Sequence, residues 1–296
     1  MRTSLLLTLA TLLVLAFRGT PAPAAAPLPP FDVAYRDAAA AMSAAGAPYA
    51  NWAAAGRRFL EFDAADGTAI EVLGDLATAE HVAVLVPGVD TRLIDFDRGL
   101  GGVARRAPAV QARSIYARLR ADDPHMRVAV VAWLGYDPPD GIDLDAVRED
   151  RARAGAAALA AFVRGVLAQR PGTIVTLIGH SYGAIVVGLA APRLPAVGDV
   201  VALGAPGMGA HRAAELGGAR VWSALAPHDW IRRVPQVRLL DLGHGRRPSS
   251  PEFGARPLPT AGVAGHDYYL VPGSATLSAV ADVVLGRPVG AVAAAS

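Results

Sequence analysis

The chain contains no cysteine, and all 28 of its basic residues are arginine, so lysine is absent as well. Without lysine there is no Schiff-base or pyridoxal-phosphate chemistry, no Ser–Lys hydrolase and no standard phosphate-binding P-loop. Without cysteine there is no thiol nucleophile, no cysteine-ligated zinc, no iron–sulfur cluster and no disulfide. Charge is sparse, at 18% of the 296 residues with a net +2, and the arginines are scattered rather than gathered into a run. A nucleic-acid partner calls for a concentrated basic patch, so none is expected. What is plentiful is apolar: 53% of residues are hydrophobic, which suffices for a large core. Serine, histidine and the carboxylates remain as nucleophile and proton-transfer groups.

The first residues read as a targeting segment. Arg2 is followed by an uncharged, leucine-rich run from Thr3 to Phe17, then by Arg18, Gly19 and Pro21, and Ala22-Pro23-Ala24 fits a small-residue cleavage site. The run is shorter than the roughly 20 residues a membrane span needs. The expected organisation is a signal peptide over 1–24, a linker and N-terminal helical segment over 25–56, and one α/β domain over 57–296. The expected localisation is secreted or cell-envelope, with no stable membrane span once the leader is removed. An uncleaved anchor is the alternative.

Hydrophobic periodicity supplies the fold class. Phe31 to Gly46 is alanine-rich and reads as helix. Arg58 to Asp63 and Thr68 to Leu73 alternate on either side of Asp66-Gly67, a hairpin pattern. His81–Val86, Arg127–Trp133, Thr173–Ile178, Asp199–Leu203 and Arg220–Leu225 are short apolar runs, the pattern of strands buried on both faces. Helical stretches separate them: Val103–Arg120, Leu144–Gln169 with Asp143 as its cap, Tyr182–Ala191, a short one near Met208–Leu216, and a closing one over Ser274–Leu285. Strands alternating with helices predict a mostly parallel central sheet with helices on both faces and an N-terminal β-hairpin. Val237–Leu240 is a further short apolar run, and Pro248–Pro259 reads as loop.

The chemistry concentrates at Gly179-His180-Ser181-Tyr182-Gly183. G-x-S-x-G is a cheap pattern on its own. Here an apolar strand leads into it and an apolar helix leaves it, the strand–turn–helix that exposes a nucleophilic serine. A serine hydroxyl needs a base, and the base an orienting carboxylate, in the chain order Ser, Asp or Glu, His. After Ser181 the histidines are His211, His228, His244 and His266. His266 falls just before the closing helix, where the base of this arrangement sits, and His244 is its rival. Asp229 follows a strand end and is the expected carboxylate. Asp241 is the alternative, and Asp199 sits at the wrong end of its strand. The oxyanion donors are expected at the backbone N–H of Tyr182 and, in the loop after the first parallel strand, of Val89, with Asp90 next. Tyr136 and Trp230 are candidate substrate-pocket residues. No histidine pair has metal-binding helical spacing, so neither a metal nor another cofactor is expected. Gly99-Leu100-Gly101-Gly102 lacks the leading strand of a dinucleotide fingerprint.

Five motifs occur in order: Trp133-Leu134-Gly135-Tyr136-Asp137-Pro138-Pro139, the elbow itself, Gly204-Ala205-Pro206-Gly207, Ser250-Pro251-Glu252-Phe253-Gly254-Ala255-Arg256, and Gly265-His266-Asp267-Tyr268-Tyr269. With these the chain resembles the α/β-hydrolase superfamily, and within it a bacterial group of largely uncharacterised serine hydrolases sharing the W-L-G-Y-D-x-P, G-H-S-Y-G, S-P-E-F-G-A-R and G-H-x-x-Y motifs. The resemblance runs from about His81 to Gly286 and favours His266 over His244 and Asp229 over Asp241. The loop Gly243-His244-Gly245-Arg246-Arg247 departs from it, being basic where an acidic turn is the pattern. The resemblance implies an α/β-hydrolase fold and a Ser-His-Asp hydrolase whose substrate is a small-molecule or lipid-like ester. A peptidase, amidase or thioesterase with the same machinery is the alternative within the class, and a non-catalytic hydrolase-fold binding protein at the cell surface is the alternative outside it.

Overall fold

In the computed structural model of the chain, residues 27–141, 149–234, 236 and 244–290 are described. The leader-like segment 1–24, Asp143 with the expected start of the long helix, the apolar run 237–240 and Asp241 lie outside them.

The hairpin forms where the alternation changes. Strands β1 (Arg58–Asp63) and β2 (Thr68–Gly74) pair antiparallel across the Asp66-Gly67 turn. The continuous apolar runs become β3 (His81–Val86), β4 (Val128–Leu134), β5 (Ile174–His180), β6 (Val197–Leu203) and β7 (Arg220–Ala224), paired parallel to one another. Every residue of β4 is buried, as expected of a strand covered on both sides. A two-residue strand, β8 (Arg256–Pro257), closes the far edge. The sheet has eight strands in the order β1-β2-β4-β3-β5-β6-β7-β8, with β2 antiparallel to β4, so the hairpin extends an otherwise parallel sheet. This is a mostly parallel α/β-hydrolase sheet with helices on both faces.

The helices are α1 (Phe31–Ala45), α2 (Tyr49–Ala54), α3 (Pro108–Asp122), α4 (Asp150–Gln169), α5 (Gly183–Ala190) and α6 (Ala275–Val284). One core lies under α4 and α5, the other under α3 and α6. Helix α1 contributes Phe31 and Ala34 to the first and Ala38 and Met42 to the second. These four positions form one stripe at helical spacing, so α1 straddles the β1 edge and seals both layers. Among the described residues, no helix is long and apolar enough to cross a membrane.

Three elements differ from expectation, each for a local reason. The helix expected from Val103 begins only at Pro108. A proline suits a first helical turn, because it has no N–H to lose, and it forces the preceding residue out of helix. Ala107 is accordingly extended, and residues 104–106 form a separate 3-10 turn. Near Met208–Leu216 only the 3-10 turn Ala213–Glu215 forms. Within Pro248–Pro259, read as loop, Arg256 and Pro257 pair with β7. Proline is tolerated there because the strand is at the edge.

Candidate active site

Ser181 sits in the strand-to-helix turn between β5 and α5. Ser181 has φ +54°, a left-handed conformation costing a non-glycine residue on the order of 1–3 kcal/mol, and such strain gathers at functional sites. Gly183 is obligatory in this turn, since a Cβ there would stand 2.2 Å from the Val86 carbonyl oxygen. The Ser181 N–H is tied to the Leu203 carbonyl at 2.9 Å, so the turn is anchored to the neighbouring strand β6. Ser181 is 5% exposed and opens onto a solvent-accessible cleft. The N-terminus of α5 lies directly behind it and presents partial positive charge to any anion forming there.

His266 and Asp229 come together across 37 residues of sequence. Nδ1 of His266 lies 3.0 Å from both carboxylate oxygens of Asp229. Asp229 also accepts the Ile231 N–H at 2.9 Å and the Tyr269 hydroxyl at 2.5 Å. Burial alone would push the Asp229 carboxyl up. The bonds from His266, Tyr269 and the Ile231 amide outweigh it and hold the group below its ordinary value. Asp229 therefore stays ionised and fixes the proton of His266 on Nδ1, which leaves Nε2 as the basic nitrogen. Tyr269 is itself held by the Ala226 N–H at 3.0 Å, so the carboxylate is locked from three sides. His180 packs on the other side of His266, its Nε2 2.8 Å from the His266 carbonyl oxygen and the two rings 4.7 Å apart.

Ser181, His266 and Trp230 line the same cleft. Among the described residues, however, no hydrogen bond joins Ser181 Oγ to the His266 ring. Such bonds are commonly long without substrate and tighten when it binds. Val89 also lines the cleft. The Asp90 N–H, the second-choice oxyanion donor, is taken by the Pro139 carbonyl at 2.9 Å. That leaves the Val89 amide, which donates to no acceptor among the described residues. Tyr182 sits at the entry to α5, with its N–H in the position following the serine.

Two of the rival residues lie away from the cleft, and Asp241 lies outside the described residues. His244 stacks edge-on against Tyr182, 5.7 Å between centroids, and lies outside the cleft lining. Asp199 falls inside β6, at the opposite end of the sheet, where it binds Arg220 and the Trp222 ring N–H. Of the two expected pocket residues, Trp230 lines this cleft and Tyr136 lines an adjoining hollow that shares Asp90 and Thr91 with it; Tyr136 is largely buried beside Trp133, with its hydroxyl on the Pro87 carbonyl. A tyrosine in an apolar core needs a partner for its hydroxyl, and the backbone of the neighbouring loop supplies it. Sequence reasoning missed two groups: His180, the variable position of the elbow pattern, and Tyr269, three residues after His266. It also missed the Arg106–Asp267 ion pair, 2.7 Å long, on the cleft wall. Only the pair's separation by 161 residues hid it.

This sheet and turn are those of a hydrolase fold. A family model described as alpha/beta hydrolase matches residues 63–239, and the chain belongs to that family. It is similar to the uncharacterized protein Rv0963c of Mycobacterium tuberculosis, 36% identical over 148 residues, which are 49% of this chain and 54% of that protein. It is also similar to the uncharacterized protein Rv2079 of the same organism, 33% identical over 251 residues, covering 75% of this chain and 37% of that protein. The chain thus spans about half, or less, of the length of these relatives. Among solved structures it is similar to a Xanthomonas campestris α/β serine hydrolase described as lacking a lid, at 17% identity and a TM-score of 0.41, covering 78% of this chain and 92% of that one. That likeness is too distant to bear on the site.

Proposed function

We propose that the chain is an exported serine hydrolase that cleaves a carboxylic ester by acyl transfer to water, and that it belongs to the bacterial group marked by the W-L-G-Y-D-x-P and G-H-x-x-Y motifs. The observation that carries this reading is the Asp229–His266 pair, held at 3.0 Å on the same cleft as a left-handed serine. Ser181 attacks the substrate carbonyl while His266 Nε2 takes its proton. Asp229 orients the imidazole and stabilises its charged form. The N–H groups of Val89 and Tyr182 receive the oxyanion, each worth roughly 3–4 kcal/mol in this role. His266 then protonates the departing alcohol, and water attacks the acyl-enzyme by the same route in reverse. Trp230 offers an apolar wall for the substrate. Export rests on the leader-like run Thr3–Phe17.

Ester cleavage is preferred over amide or thioester cleavage by analogy with the commonest use of the fold. The unmade Ser181–His266 bond favours one further reading, a hydrolase-fold binding protein without turnover. Both are tested by labelling with a serine-directed fluorophosphonate and by p-nitrophenyl esters of graded acyl length. Wild-type protein is expected to label and turn over, with Ser181→Ala losing both by about ten-thousand-fold or more. His266→Gln is expected to fail similarly, while His244→Gln retains activity. Undiminished labelling of Ser181→Ala sinks the hydrolase reading, and no labelling with tight ester binding supports the binding protein.

A further inference from the structure

The segment Trp133 to Pro139 leaves β4 and runs to the loop that follows β3. It meets that loop twice. The Tyr136 hydroxyl donates to the Pro87 carbonyl at 2.7 Å, and the Pro139 carbonyl accepts the Asp90 N–H at 2.9 Å. The two bonds bracket Gly88 and Val89. From the other side the loop is pressed against the nucleophile, since a Cβ on Gly88 would stand 2.7 Å from Ser181 Cβ. The Tyr136 ring has little room to drift. It stacks on Trp133 with centroids 5.9 Å apart, and a Cβ on Gly155 of α4 would come within 2.9 Å of it. Burial holds the phenol far above its ordinary pKa, so it remains a donor at any working pH.

We infer that Tyr136, with the Pro139 carbonyl, clamps the Pro87–Asp90 loop and so sets where the Val89 N–H points, making Tyr136 a positioning residue for the oxyanion. This rests on the serine-hydrolase reading of the site. Oxyanion donors act only within about 2.7–3.1 Å of the developing charge. A misplacement near 1 Å costs on the order of a hundredfold in rate. A loop bonded at one end only can drift by that much; one bonded on both sides of the donor cannot.

The test is Tyr136→Phe, which keeps the ring and removes only the hydroxyl. We expect kcat to fall roughly 10- to 100-fold with KM within about twofold, because the donor acts in the transition state. Inhibition by an alkyl boronic acid, whose adduct presents an oxyanion, is expected to weaken by a similar factor. A double-mutant cycle separates positioning from general loosening: once Val89→Pro removes the donor, adding Tyr136→Phe should cost little more. Should Tyr136→Phe not fold, Gly155→Ala displaces the ring while keeping the hydroxyl and is expected to lower kcat several-fold. Fluorophosphonate labelling at Ser181 is established first on wild type. If Ser181 labels but Tyr136→Phe keeps its kcat, or the cycle is additive, the clamp is overturned and the hydrolase reading stands. If wild type does not label, both fall.

Discussion

His180 occupies the variable position of the elbow, yet it is a titratable group buried beside the proposed base. The groups facing it are His266, Tyr269, Asp267 and Asp229. Burial first, and then the neighbouring His266, lower its pKa from 6.5 to about 4. It is therefore neutral at working pH, and since a carbonyl only accepts, the proton sits on Nε2 and is donated to the His266 carbonyl. The consequence for stability has a definite sign. Between about pH 6.5 and 4 the unfolded chain binds a proton at this position and the folded chain does not, so stability falls on acidification across that window and flattens below it. The shift corresponds to on the order of 3 kcal/mol. Urea melts of wild type and His180→Phe from pH 7 to 4 check this: the variant is expected to show a shallower acid decline, and parallel curves would show that His180 is not its source. The depressed carboxyl of Asp229 acts lower down, its contribution persisting above the ordinary carboxylate range and being lost as pH falls through its folded value. Of these residues, Ser181, Asp229 and His266 could be proposed from the sequence, because residue type and chain order, with the motif resemblance, single them out. His180 and Tyr269 stood there only as motif letters, because what they do depends on a carbonyl and a carboxylate brought near by folding.

At the scale of elements, the strands were legible because continuous apolar runs bounded by turns leave few other structures open to them. The order of the strands was not, since β4 inserts between β2 and β3 by pairings that no local pattern encodes. The loops at the strand ends carry the site, and Gly204 shows how closely they fit. It follows β6 with φ +56°, and a Cβ there would lie 2.8 Å from Asp229 Oδ2 and 3.0 Å from His266 Nδ1. The glycine of the Gly204-Ala205-Pro206-Gly207 motif is thus the floor on which the Asp229–His266 pair rests. Gly204→Ala is expected to push that pair apart and to lower kcat by about 100-fold, since the orienting carboxylate is lost without loss of the serine. The Nδ1 proton resonance of His266, strongly downfield while bonded to Asp229, should move upfield in the same variant. A variant with normal turnover and an unshifted resonance would mean the strand end yields instead.

Across the whole molecule the sheet divides labour between its two ends. The loops after the carboxyl ends of β3, β5 and β7 line the cleft, as the parallel arrangement dictates. The opposite end is held by a charged cluster with no path to it. There Asp199, buried within β6, accepts the Arg220 guanidinium at 2.8 and 2.6 Å and the Trp222 ring N–H at 2.8 Å. Arg220 is 48% exposed, so water screens part of the pair and its removal costs less than a fully buried one. Asp199→Ala leaves a guanidinium and an indole N–H without their acceptor, and we expect a loss of about 1–3 kcal/mol. For a chain of this size that lowers Tm by roughly 2–6 °C. Ester turnover measured well below that midpoint is expected to be unchanged, because nothing in the Asp229–His266–Ser181 cleft touches the cluster. The two carboxylates thus stand at opposite ends of the sheet, Asp199 near the start of β6 and Asp229 beyond the end of β7. A fall in kcat for Asp199→Ala without a fall in Tm would break that division and require the two ends of the sheet to be coupled.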